Sequence, residues 1–160
     1  MNRLIIVGAG GYGHLVRDIA TELGYKDIVF LDDNSNEAVG KIEDYEKFID
    51  YENVIIAIGN SNLRKNYYEI LRHKLNVISL IHPKAYVSCS ATIGAGCVIE
   101  PCAVVNSNAV IRNCSFINAG AIINHDATVN EYCQIDCGAV VASGRNVESM
   151  YKVKSNTVYE

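Results

Sequence analysis

An imidazole and a carboxylate stand side by side at His125 and Asp126, within the stretch AIINHDATVN of residues 121–130. Histidine is the side chain that accepts a proton near neutral pH, and an adjacent carboxylate favours its charged form, which strengthens it as a base. The pair could therefore serve in general acid–base chemistry. A solvated surface histidine, or one stacked against another subunit, would leave the same trace in the sequence. A second group with chemical potential lies near the other end of the chain. GAGGYG, with Gly8, Gly10 and Gly13, fits G-x-G-x-x-G between an apolar run and an amphipathic one, and Asp32 follows about 20 residues later. Such a loop turns backbone N–H groups toward a phosphate at a helix N-terminus, and alone it argues for a dinucleotide such as NAD. Its glycines can equally serve only the close approach of a helix to a strand. Gly59 and Asn60 close a third apolar run and would line the same crevice, because ligands sit at the carboxyl ends of parallel strands.

Other reactive side chains have weaker claims. His14, His73 and His82 have no second ligand at useful spacing, so no metal site is expected. The six cysteines, Cys89, Cys97, Cys102, Cys114, Cys133 and Cys137, form no C-x-x-C motif and read as reduced, easily buried side chains.

Two kinds of element must position these groups. Residues 1–80 alternate strand and helix patterns. RLIIVGA, DIVFLDD, NVIIAIG and NVISLI read as buried parallel strands, and YGHLVRDIATEL, IEDYEKFID and SNLRKNYYEILRHK as helices, the last with Ser61 or Asn62 as N-cap. That alternation predicts a small α/β unit with a parallel sheet. From residue 81 the pattern changes. An aliphatic residue returns every sixth place from Ile81 through Val87, Ile93 and Ile99 to Val153, thirteen times without a miss. Two places before it stands a small residue, from Ala85 to Ala139. This is the hexapeptide repeat of a parallel β-helix, in which the aliphatic side chain fills a narrow prism and three repeats close one coil. The segment predicts about four coils. At Arg145 and Tyr151 the small residue becomes large, which reads as a capping coil. His125 falls at an outward corner of this scaffold.

The bulk properties exclude several classes. At 160 residues and a net charge of −4, with no dense Lys/Arg run, a nucleic-acid footprint is absent. No apolar stretch is long enough to span a membrane and no secretion signal is evident, so a cytoplasmic protein is expected.

The glycine loop GAGGYGHLVRDIA, then GYKDIVFLDD, IAIGNSNLRK, LIHPKAYVSCSATIGAG and INAGAIINHDATV, in that order, resemble the hexapeptide-repeat nucleotide-sugar acyltransferases of the bacillosamine N-acetyltransferase and sialic acid O-acetyltransferase type. The resemblance implies a Rossmann-like nucleotide-sugar-binding domain over 1–80, a left-handed parallel β-helix over 81–160, and a homotrimer. It implies an acetyl-CoA-dependent acetyltransferase acting on a UDP-linked amino sugar of the 4-amino-4,6-dideoxy type or a related sugar, with no metal. His125 would be the general base with Asp126 behind it. Gly10, Gly11 and Tyr12 would meet the diphosphate, Asp32 and Asp33 the uridine and its ribose, with Gly59 and Asn60 beside them. Asn118 would lie near the acceptor sugar, and the Gly144 N–H would steady the thioester oxygen. Close relatives carry further coils that line the coenzyme A groove, whereas this sequence stops at Glu160. A second reading follows, a non-catalytic trimeric sugar-nucleotide-binding relative with an incomplete groove; an NAD-binding module is the third.

Overall fold

The computed structural model describes residues 3–160, which divide into two compact units, one running to Ile78 and the other Ser79–Glu160. The first unit contains β1 (Arg3–Val7), α1 (Gly11–Glu22), β2 (Asp27–Leu31), a 3-10 helix (Ile42–Tyr51), β3 (Asn53–Ile56), α2 (Ser61–Leu71) and β4 (Asn76–Val77). Its strands form one parallel sheet in the order β2-β1-β3-β4. The apolar run of β1 is central, and Leu4, Ile5, Ile6 and Val7 are wholly buried, as a strand covered on both faces requires. Strand order reverses between β1 and β3, the place where parallel α/β sheets commonly bind ligands at the carboxyl ends of their strands.

Three elements differ from the sequence reading. β2 ends at Leu31, because Asp32 turns its carboxylate back to accept the Ala9 N–H at 2.8 Å. The segment after β2 is a 3-10 helix with a kink at Phe48 (φ −118°). Its apolar residues explain this: Ile42, Tyr45, Phe48 and Tyr51 recur every third place, the spacing that aligns side chains on a 3-10 helix. The third difference is that the expected strand NVISLI is shared between units. Asn76–Val77 joins the first sheet, whereas Leu80–Ile81 opens the second unit by pairing with Val98–Ile99.

The second unit is built from fourteen two-residue strands, from Leu80–Ile81 to Val158–Tyr159. They stack into three parallel ladders of five, five and four strands. Partners lie 18 residues apart, as in the series Ile99, Ile117, Ile135 and Val153. The repeat aliphatics from Ile99 to Val147 are wholly buried, as are the small residues Cys97, Ala103, Ala109, Ala121, Ala127, Cys133 and Ala139. Ser115 occupies the same small position with its hydroxyl satisfied, donating to the Asn130 carbonyl at 2.7 Å and accepting the Cys133 N–H at 3.1 Å. Every sixth residue from Gly96 to Asn156 has positive φ, among them Asn108 (57°), Asp126 (61°) and Gly144 (68°). These left-handed residues turn the corners of the prism.

Coil geometry does not change at Arg145 and Tyr151. The ladders continue through Lys152–Val153 and Val158–Tyr159, and both large residues are exposed, Tyr151 edge-on to Tyr159 at 5.6 Å. The large side chains are accommodated outside the prism, so loss of the small residue does not by itself end the helix.

Candidate active site

Residues 124–127 form the corner between strands Ile122–Ile123 and Thr128–Val129. Ile123 and Val129 point into the prism and are fully buried, while the His125 side chain, on the turn between them, is 62% exposed. The backbone of this corner is fixed from both neighbouring coils. Asp126 N–H donates to the Ser107 carbonyl and Gly144 N–H to the His125 carbonyl, each at 3.0 Å. His125 Nδ1 lies 2.7 Å from Asp126 Oδ2, and Asn108 Nδ2 donates to Asp126 Oδ1 at 3.1 Å. The hydrogen bond with His125, followed by that from Asn108, holds the Asp126 carboxyl below its ordinary range. An ionised carboxylate can only accept, so Nδ1 donates to it and Nε2 is left as the nitrogen that can take a proton.

Two expected members of this site are placed otherwise. Gly144 does stand directly above the corner, but its N–H is committed to the His125 carbonyl and is no ready donor to a thioester oxygen. Its α-carbon faces open space, with nothing within 4 Å of where a side chain would begin. Asn118 lies on the turn before strand Ile122–Ile123, whereas His125 lies on the turn after it, so one chain presents them at different corners. The Asn118 side chain is 7% exposed and donates to Asp136 Oδ1 at 3.4 Å, and Asp136 in turn meets Lys152 Nζ at 3.1 Å.

In the α/β unit the glycines separate into two roles. Gly8 has φ 106°, and a Cβ there would sit 2.9 Å from the Ala57 carbonyl oxygen; a Cβ on Gly13 would run into the carbonyl of Gly8. These two permit close packing. Gly10 and Gly11 are exposed, and nothing lies within 4 Å of a side chain built there. Helix α1 starts with no side-chain cap and no acidic residue in its first turn. The N–H groups of Gly11, Tyr12 and Gly13 precede the first intrahelical bond, which runs from His14 N–H to the Gly10 carbonyl. With no side-chain cap at this helix start, the helix dipole favours an anion there.

Asp32 accepts from Ala9 N–H and Asn34 N–H, both at 2.8 Å, and the first of these bonds chiefly keeps its carboxyl below the ordinary range. Asp33 accepts the Ile42 N–H at 3.0 Å and the Tyr67 hydroxyl at 3.3 Å. Beyond Asp33 opens a cavity of about 480 Å³, lined by Lys41, Ile42, Tyr45, Tyr67 and Ile70 among others; the glycine loop is not part of it. Helix α2, unlike α1, is capped: Asn60 Oδ1 accepts the Leu63 N–H at 3.1 Å, so the cap is Asn60 and not Ser61 or Asn62. The wholly buried Arg64 donates to the carbonyls of Ile58 (2.6 Å) and Gly59 (3.0 Å) and stiffens the end of β3. The glycine loop, Asp32 and the end of β3 are thus brought together.

Sequence reasoning missed Asn108, Arg64 and Tyr67. Only Asn108 left a usable signal, since it stands one coil, 18 residues, before Asp126. Among the described residues no cluster of three His, Cys, Asp or Glu side chains is placed to hold a metal ion. No helix among them is long and apolar enough to cross a membrane.

A small parallel α/β unit with an open glycine loop, followed by a parallel β-helix bearing a His–carboxylate corner, defines a Rossmann-like hexapeptide-repeat protein. Residues 3–71 match the PglD N-terminal domain family. Over 111 residues the chain is 35% identical to UDP-N-acetylbacillosamine N-acetyltransferase of Bacillus subtilis (strain 168), an alignment covering 62% of this chain and 51% of that protein. The chain thus spans about half the length of this curated relative. The acetyltransferase domain of PglB from Neisseria gonorrhoeae FA1090 superposes with a TM-score of 0.84 at 29% identity, over 99% of this chain and 88% of that one. The same domain in complex with acetyl coenzyme A gives a TM-score of 0.83, also at 29% identity, over 98% and 87% of the two chains. A variant of perosamine N-acetyltransferase from Caulobacter crescentus shares the fold, with a TM-score of 0.87 at 22% identity, over 99% of this chain and 82% of that one. The fold is the expected one, Rossmann-like α/β followed by a left-handed parallel β-helix. The chain is thus similar to hexapeptide-repeat acetyltransferases, and its residues 3–71 match the PglD N-terminal domain.

Proposed function

We propose that this protein is an acetyl-CoA-dependent N-acetyltransferase acting on a UDP-linked amino sugar, with His125 as general base. The observation that carries the reading is the His125–Asp126–Asn108 corner: an exposed imidazole whose Nδ1 is occupied by an ionised carboxylate and whose Nε2 is left to accept a proton. In the reaction the neutral sugar amine attacks the thioester carbonyl, forming the C–N bond. Nε2 takes the proton the amine loses, the C–S bond breaks, and the proton passes to the departing coenzyme A thiolate. Gly144, lacking a side chain directly above this corner, keeps room for the thioester.

The nucleotide would be held by the α/β unit, with its diphosphate on the uncapped start of α1 at Gly10, Gly11 and Tyr12. Asp32, Asp33, Gly59 and Asn60 would stand around the nucleoside. The Bacillus subtilis relative is named for a UDP-linked sugar, which supports uridine over other nucleosides. The acting unit is a homotrimer in the cytoplasm. Asn118 and His125 occupy different corners of one prism, and a ring of three copies would set the Asn118 corner of one against the His125 corner of the next.

The test is coenzyme A release over a panel of UDP-amino sugars. His125→Ala should lower kcat by about 10²–10⁴, the usual range for general acid–base catalysis, with sugar-nucleotide affinity by calorimetry unchanged. Absence of release with every amino sugar, or activity indifferent to loss of His125, would overturn the assignment.

A further inference from the structure

Residues 18 apart stand one above the other in the stack, and beneath Asp126 the column holds Asn108 and then Ser90. Ser90 Oγ accepts the Asn108 N–H at 3.1 Å, and Asn108 Nδ2 donates to Asp126 Oδ1 at 3.1 Å. The other carboxylate oxygen, Oδ2, is the one that meets His125 Nδ1 at 2.7 Å. A run of three hydrogen bonds therefore leads from a serine two coils below to the imidazole.

We propose that Asn108 is a positioning residue for His125: by holding Asp126 Oδ1 it turns Oδ2 onto Nδ1 and fixes the tautomer that leaves Nε2 as the base. The need for a second anchor follows from exposure. The side chains of His125 and Asp126 are 62% and 56% exposed, so a carboxylate held by one contact would exchange that contact with water and rotate. A neutral imidazole in water prefers its proton on Nε2, which points the lone pair at the wrong partner for catalysis. Asn108 restrains the carboxylate from the side opposite the imidazole and costs little to place, because asparagine tolerates the left-handed corner it occupies (φ 57°). The catalytic consequence rests on the reading of His125 as base; the tautomer does not.

Asn108→Gly and Asn108→Asp both tolerate positive φ, and both keep the backbone N–H that meets Ser90. The first removes the amide, and the second sets an acceptor against Asp126 Oδ1. With ¹⁵N-labelled protein above the imidazole titration, the wild type should carry the His125 proton on Nδ1. Asn108→Gly should shift the population toward Nε2–H, and Asn108→Asp should shift it further. In turnover, Asn108→Gly should lower kcat by about 3- to 10-fold, the worth of one hydrogen bond, with both KM values unchanged. It should have no further effect in an Asp126→Asn background. A wild-type tautomer in Asn108→Gly, or an undiminished kcat loss in the Asp126→Asn background, overturns the proposal. A protein that acetylates no amino sugar fails the functional reading alone, since the imidazole spectrum still decides the role of Asn108.

Discussion

Replacing Gly13 by alanine should unfold the α/β unit at markedly lower temperature. The new Cβ would meet the Gly8 carbonyl oxygen, a backbone atom with no rotamer by which to yield, and the Gly8 carbonyl carbon at 3.0 Å. Helix α1 must then move off β1, taking its buried face of Val16, Ile19 and Ala20 with it. Overfilling a packed core costs about 1–3 kcal/mol, and a rigid backbone obstacle puts the cost at the upper end. Alanine returns up to about 1 kcal/mol through its better helix propensity. The net loss of about 2 kcal/mol corresponds to a Tm lowered by roughly 8–16 °C for a unit of this size. Both α-helices lie in this unit, so its melting can be followed by the helix signal in far-ultraviolet circular dichroism. Gly11→Ala is the control. Nothing lies within 4 Å of a Cβ there, so Tm should hold while affinity for a UDP-sugar falls. A Gly13→Ala protein melting within about 2 °C of the wild type would refute the packing argument.

Two further outcomes follow from ionisation. Because hydrogen bonds hold the folded Asp32 carboxyl below its ordinary value, its stabilisation is full above about pH 4 and is lost as pH falls through the folded value. Urea midpoints of wild type and Asp32→Asn should therefore differ by a constant amount near neutrality and converge in acid; a gap that widens in acid has the wrong sign. Burial pushes the Cys97 thiol up to about 11. Mass spectrometry after brief alkylation at neutral pH should find Cys89, Cys102 and Cys137, which are exposed, modified and Cys97 untouched; labelling of Cys97 in the folded protein would contradict this.

The β-helix was legible because its core is one-dimensional: an aliphatic at every sixth place is both the sequence pattern and the packing rule. The α/β unit was legible as alternation but not in its borders. NVISLI is one apolar run, and nothing in it announces that Val77 and Leu80 belong to different units. The short helix over residues 42–50 was legible but its 3-10 type was not, because a three-residue spacing over ten residues also satisfies a short α-helical pattern. At the candidate site, His125 and Asp126 stood out by residue type. Asn108 did not, since asparagine is ordinary at a turn and its meaning comes from lying one coil beneath Asp126. Residue type also could not reveal that the Gly144 N–H is spent on the His125 carbonyl, a matter of coil-to-coil register.

Each coil of the β-helix bonds only to the coil above and the coil below. Its free energy is then a sum of the coils' own terms and the junctions between neighbours, as in a column of coins held by face contact. Melting of such a column begins at an end and advances one junction at a time. The corner at residues 124–127 has complete coils on either side, so a substitution at Val87, two coils away, loosens its own coil without altering the geometry at His125. Tolerance to mutation should accordingly be graded along the axis, lowest in the coil that carries the imidazole and rising with each coil away from it.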